Sequence, residues 1–118
     1  MSNKVLFILN DPPYGTERTY NGLRLAIAVG KRDDCEIRVF LMGDAVGAAV
    51  ANQKLPNGYY HLDRMVESCA RLGTDVACCG GCLDARGITE DMLTKGACRS
   101  TLDQLADWTL WADKVVSF

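Results

Sequence analysis

The sequence has one histidine, no appreciable excess of either charge and no apolar run long enough to span a bilayer. Its 13 Lys and Arg against 15 Asp and Glu leave a formal net charge of -2. A surface so balanced offers no electrostatic reason to expect nucleic acid or an anionic membrane as partner. Val5-Leu6-Phe7-Ile8-Leu9, directly after Met1-Ser2-Asn3-Lys4, is too short and wrongly flanked for a signal peptide or a membrane span. Gly43-Asp44-Ala45-Val46-Gly47 does not match the spacing of a phosphate-binding loop, and no cofactor is expected. No repeat, low-complexity run or linker divides the 118 residues, which read as one domain, 1–118. At 48% hydrophobic content such a domain can bury a core without disulfide staples.

Cysteine, by contrast, is plentiful, with six at positions 35, 69, 78, 79, 82 and 98. A chain expected in a reducing cytoplasm uses clustered cysteines more often for metal or thiol chemistry than for bridges. Cys35, Cys69 and Cys98 read as small buried or incidental residues. The dense stretch is Cys78-Cys79-Gly80-Gly81-Cys82, followed at once by Leu83-Asp84-Ala85-Arg86-Gly87. It follows a turn and a short strand, Gly73 to Ala77, so its thiols fall where a strand ends and a helical turn begins. Unpaired N–H groups and a nearby guanidinium favour thiolate over thiol at such a place.

Hydrophobic patterning alternates strands with helices. Lys4 to Asn10 reads as a strand buried on both faces, and Asp11-Pro12-Pro13-Tyr14-Gly15 as the turn that ends it. A helix capped by Thr16 carries Tyr20, Leu23, Ile27 and Gly30 at helical spacing as far as Lys31-Arg32. Cys35 to Met42 is a second strand, Ala45 to Ala51 a short apolar helix, and Tyr59 to Leu72 a helix with Leu62, Met65, Val66, Cys69 and Leu72 on its apolar stripe. Thr89 caps a helical turn, Ala97-Cys98 is a very short strand, Ser100 to Ala112 the last helix and Lys114 to Phe118 the last strand. On that last helix Leu102, Leu105, Ala106, Thr109 and Ala112 share one side, with Trp108 and Trp111 off the stripe. The off-stripe tryptophans and the apolar Ala45 to Ala51 segment motivate an expectation of homo-oligomerisation. The alternation predicts an α/β fold with a parallel sheet covered on both faces.

Four chemistries compete for the conspicuous residues. Asp11-Pro12-Pro13-Tyr14 matches the signature of amino-group methyltransferases, but the prolines occupy the place of the glycine-rich cofactor loop such enzymes need, and a rigid turn is the better reading. Zinc wants four ligands; Cys79-x-x-Cys82 supplies half a site, Cys98 and His61 are scattered, and no metal is expected. A thioredoxin-like dithiol can form a reversible disulfide, although its motif normally lies early in the chain. A persulfide carrier takes a sulfur atom on one thiolate and passes it to another thiol. A non-catalytic binding or assembly protein with incidental cysteines is a further class.

Several stretches in order, Val5 to Leu9, Pro13-Tyr14-Gly15-Thr16-Glu17-Arg18 with Asn21 to Ala26, Val39 to Val46, Cys79-x-x-Cys82-x-x-Ala85-Arg86-Gly87 and Ala112 to Phe118, resemble the DsrE/DsrF-like sulfur-relay family. The resemblance covers essentially the whole chain. It implies a three-layer α/β/α sandwich with a mostly parallel five-stranded sheet, and small subunits assembled as homotrimers or homohexamers. In the DsrE and TusD branch a cysteine eight residues before the glycine of an Arg-Gly pair accepts sulfur as a persulfide; counting back from Gly87 gives Cys79. That branch lacks a second cysteine three residues on, and the Cys-x-x-Cys variant is more similar to the YchN-like homo-oligomers.

The resulting expectation is a sulfurtransferase or persulfide carrier serving a sulfur donor and an acceptor protein. Cys79 takes the sulfur, Arg86 and local N–H groups hold its anion, and Cys82 resolves or receives the sulfur. Asp84 orients Arg86 or caps the turn, and Gly87 supplies the positive φ that often ends a helix. A structural ion pair is as good a reading of Arg86 as a functional one. Tyr14, Glu17, Asp44 and Tyr59 are expected to line the same cleft.

Overall fold

The computed structural model describes residues 2–118. Five strands, β1 (Asn3–Leu9), β2 (Cys35–Leu41), β3 (Val76–Cys79), β4 (Ala97–Ser100) and β5 (Lys114–Ser117), form one sheet in the order β4-β3-β2-β1-β5. All four pairings are parallel. Helices α1 (Arg18–Gly30) and α2 (Leu62–Leu72) lie on one face, α4 (Leu102–Trp111) lies on the other, and the short α3 (Gly80–Ala85) follows β3 directly. The α/β, three-layer architecture is as expected, with a sheet that is parallel throughout. Among the described residues no helix is long and apolar enough to cross a membrane.

Because successive strand residues point to opposite faces, β1 supplies both cores. Phe7 and Leu9 of β1 join Leu23, Ile37, Val39, Leu62, Val66 and Val76 beneath α1 and α2. Leu6, one residue away, joins Phe40, Ala77, Leu105 and Trp108 beneath α4. Full burial of side chains such as Phe7, Phe40 and Leu6 contributes about 1.5–3 kcal/mol each against an exposed reference.

Element ends differ from the sequence reading where tertiary contacts intervene. The second long helix starts at Leu62 rather than Tyr59, since the Tyr60 ring stacks on Tyr20 (centroids 3.5 Å apart) and the Leu62 N–H donates to the Tyr14 hydroxyl at 3.2 Å. Those contacts hold the approach extended. Thr16 caps from one position further out: its Oγ1 accepts the Arg18 N–H at 3.1 Å. The last helix is capped by Thr101, whose Oγ1 accepts the Gln104 N–H at 3.2 Å, which leaves Ser100 to the sheet.

Both sequence motives for assembly change. The short apolar helix is a 3₁₀ segment, Gly43–Ala49, whose Ala45, Val46, Ala48 and Ala49 are buried in the chain's own core. Trp108 is the anchor of α4 rather than an off-stripe residue; only 8% exposed, it meets Phe40 edge-on with centroids 6.1 Å apart. Trp111 receives the Arg38 guanidinium 4.0 Å from its ring centre. What α4 turns outward instead is Leu102 (69% exposed) and Leu110 (87% exposed), beside a shallow groove of about 400 Å³ lined by Leu102, Leu105, Ala106, Thr109 and Leu110.

Candidate functional site

Strand order fixes where chemistry can gather. The connections after β1, β2 and β3 run on the α1/α2 side, where Leu83 and Leu93 pack, whereas the chain leaving β4 enters α4 on the opposite face. Neighbouring strands whose exits diverge open a crevice at their carboxyl ends, where ligands bind in open parallel sheets. Here that crevice lies between β3 and β4, whose last residues, Cys79 and Ser100, are register partners. The cysteine stretch therefore occupies the topological switch point.

Its three thiols have three environments. Cys78 points into the α1/α2 core, is 0% exposed, and burial pushes its thiol up to about 12, with nearby Cys98 and Cys79 adding to the rise. Cys79 ends β3 and is half-buried. Partial desolvation raises it, but the neighbouring Cys82 thiol, the Cys82 and Gly81 N–H groups and the Arg99 charge act the other way, so the balance falls below the ordinary thiol value. Cys82 moves the other way: desolvation and the neighbouring Cys79 sulfur raise it, against the Gly43 N–H and the Arg86 charge. Of the pair, Cys79 is the thiol that ionises first.

The two arginines are divided differently from the sequence expectation. Asp84 does not orient Arg86. It pairs with Arg99 through two parallel hydrogen bonds, Nη1 to Oδ1 at 2.7 Å and Nη2 to Oδ2 at 2.9 Å, and this holds its carboxyl below the usual range. Arg86 reaches Asp44 through Nη2 (2.7 Å) and Nε (3.0 Å), and donates from Nη1 to the Cys82 carbonyl at 3.0 Å. The cation acting on Cys79 is Arg99, and the cation acting on Cys82 is Arg86. Both ion pairs are substantially exposed and screened by solvent, so they add little stability and mainly aim the groups they join.

Glycines make this packing possible. A Cβ on Gly80 would sit 3.0 Å from Arg99 Cζ, Nε and Nη2, so a side chain there would push the guanidinium back from its place against the backbone. Gly43, at φ +54, turns its N–H onto Cys82 Sγ at 3.1 Å. Gly87 has the anticipated positive φ, +66, and after it the Ile88 N–H returns to the Leu83 carbonyl at 3.0 Å.

Of the four residues expected around the cleft, only Asp44 meets the cysteine site. Tyr14, Glu17 and Tyr59 line a separate cleft of about 160 Å³ with Pro13 and Tyr60. Tyr14 is occupied in holding the loop, donating to Gln53 Oε1 and accepting the Leu62 N–H. Arg99, Gly80 and the Gly43 N–H are the site groups that sequence reasoning missed. Arg99 belongs to no motif and reaches the site through the pairing of β4 with β3, in which it sits opposite Cys78. Among the described residues no three His, Cys, Asp or Glu side chains gather as a metal site.

The arrangement can hold sulfur anions, exchange a proton between two thiols and form or break S–S bonds. Comparison with known proteins finds relatives over nearly the whole chain. The model of the DsrE/DsrF-like family matches residues 3–118. The chain is 41% identical to the protein YchN of Escherichia coli over 116 residues, 98% of each. It is 30% identical to an uncharacterized protein of Methanopyrus kandleri over 114 residues, 97% of this chain and 93% of that protein. The crystal structure of the Escherichia coli YchN protein superposes with a TM-score of 0.91, covering 98% of this chain and 99% of that one. A protein of unknown function from Methanobacterium thermoautotrophicum shares the fold at 14% identity, with a TM-score of 0.73 over 99% of this chain and all of the other (100%).

Proposed function

The chain belongs to the DsrE/DsrF-like family, and from that premise we propose that it relays sulfur, accepting a sulfane sulfur on Cys79 as a persulfide and passing it to a thiol acceptor. The observation that carries the reading is the state of Cys79. It is reachable, it is the thiol of the stretch held below the ordinary value, and two backbone N–H groups, the Cys82 thiol and the Arg99 charge favour its anion. Those groups suit a perthiolate as well as a thiolate, because the added sulfur keeps the negative charge beside them. Cys78 is sealed in the core, and Cys69 and Cys98 are also raised by burial, so none competes as acceptor.

Donor and acceptor are proteins or small thiols of a reducing cytoplasm, and neither nucleic acid nor a membrane surface takes part. The chain works as a homotrimer or homohexamer, with the outward leucines of α4, Leu102 and Leu110, as the apolar contact between copies. Intact-mass analysis after incubation with a persulfide donor tests the acceptor. Wild type and Cys82→Ser gain one sulfur, and Cys79→Ser does not. A gain that survives in Cys79→Ser removes Cys79 from the role.

A second reading, a dithiol redox protein, is favoured by the placing of Cys79 and Cys82 together at the start of α3, where each thiol acts on the ionisation of the other. It predicts a Cys79–Cys82 disulfide that titrates reversibly in a glutathione buffer, with no sulfur adduct from the same donor.

A further inference from the structure

Cys82 has surroundings of its own, assembled from a part of the chain that contributes nothing to Cys79. Its Sγ accepts the Gly43 N–H at 3.1 Å from the end of β2, and the Arg86 charge acts on it. Arg86 is fixed by both ends of its fork, through Nη1 to the Cys82 carbonyl at 3.0 Å and through Nη2 to Asp44 at 2.7 Å. Asp44 is the residue after Gly43, so the ion pair ties the loop carrying the donor N–H to the helix carrying the thiol. A thiolate formed at Cys82 is therefore held by groups separate from those that act on Cys79.

We propose that Cys82 is a second sulfur station, which takes the sulfane sulfur from Cys79 within the same chain and presents it to the acceptor from the Gly43, Asp44 and Arg86 cradle. The inference rests on the relay reading above. In the transfer the Cys82 thiol, which in the unloaded chain lies beside the Cys79 thiol at the start of α3, gives its proton to the terminal sulfur of the Cys79 perthiolate. The Cys82 thiolate then attacks that terminal sulfur. A new S–S bond forms at Cys82, the S–S bond at Cys79 breaks with its electron pair leaving on Cys79, and the oxidation level of the pair is unchanged. No outside oxidant or reductant enters. The departing thiolate is the better stabilised of the two, and the better leaving thiolate leaves faster. Attack on the inner sulfur instead would expel hydrosulfide and close a Cys79–Cys82 disulfide.

The two outcomes separate by alkylation after loading. Wild type, Cys82→Ser and Arg86→Gln are loaded with a persulfide donor, freed of it, trapped with excess iodoacetamide, reduced and peptide-mapped. A thiol that carried sulfane sulfur emerges free after reduction, whereas an unloaded thiol keeps its carbamidomethyl group. The expected result is a free Cys82 and an alkylated Cys79 in most wild-type chains. Arg86→Gln shifts the distribution toward Cys79 by roughly threefold, the scale of one lost, partly screened charge. In Cys82→Ser the sulfur stays on Cys79. Wild-type sulfur found on Cys79, or a chain two hydrogens lighter with sulfide released, overturns the second station and leaves the relay reading standing. Sulfur on neither cysteine in both wild type and Cys82→Ser overturns both.

Discussion

Arg99 grips Asp84 through two parallel hydrogen bonds of 2.7 and 2.9 Å, and this fork holds a guanidinium from β4 against the backbone beside Cys79. The pair joins β4 to α3, the helix that follows β3. It makes Arg99 the cation that acts on the Cys79 thiol, the proposed acceptor.

Removing that charge is therefore expected to raise the Cys79 thiol. In Arg99→Gln the alkylation rate of Cys79 at neutral pH falls about threefold, and its pH profile moves to higher pH. Arg86→Gln leaves the Cys79 profile nearer to wild type. The pH dependence of iodoacetamide labelling, followed by peptide mass, checks both.

Gly80→Ala alters no titratable group, yet its new Cβ would press on Arg99 at 3.0 Å. The guanidinium has to move, so the Cys79 profile shifts in the same direction as in Arg99→Gln. Gly81→Ala, with nothing within 4 Å of its Cβ, is the control and leaves the profile near wild type.

Much of the fold was legible in the sequence, because it rests on periodicity: the apolar run of β1, the stripe of α2, and the alternation that demands a parallel sheet. Cys79 was singled out by the family resemblance, through its spacing to Gly87, and is the proposed acceptor. What escaped was set by register and long-range contact. Which arginine serves Cys79 depends on β4 lying beside β3, a pairing that no local pattern announces, and Asp84 turned to Arg99 for that reason. Trp108 looked peripheral on a helical wheel because the stripe was drawn through Leu102 and Ala106, whereas the sheet offers Phe40 to the other side. Tyr59 to His61 looked helical until the Tyr20–Tyr60 stack held them extended.

The α4 face separates packing from assembly. Trp108→Ala empties a buried site against Phe40 and is expected to cost about 3–5 kcal/mol in urea unfolding. Leu110→Asp, at a position 87% exposed, changes the stability of the isolated subunit by no more than about 0.5 kcal/mol while lowering the mass seen by light scattering. A light-scattering mass unchanged in Leu102→Asp and Leu110→Asp moves the contact surface elsewhere.

Alkaline pH acts through the buried thiols. Burial raises both Cys69 and Cys78 from 9.0 to about 12. In the unfolded chain these thiols ionise first, so their contribution to stability is intact below pH 9.0 and is lost as pH rises toward about 12. Denaturant midpoints measured across that window are expected to fall, and Cys78→Ala is expected to flatten the fall at the cost of a lower midpoint at pH 7.

The central claim, that Cys79 is the sulfur acceptor, is met most directly by counting cyanide-labile sulfur after loading with a persulfide donor. One thiocyanate per chain from wild type and from Cys82→Ser, with only background from Cys79→Ser, is the predicted result. A full equivalent from Cys79→Ser would contradict it.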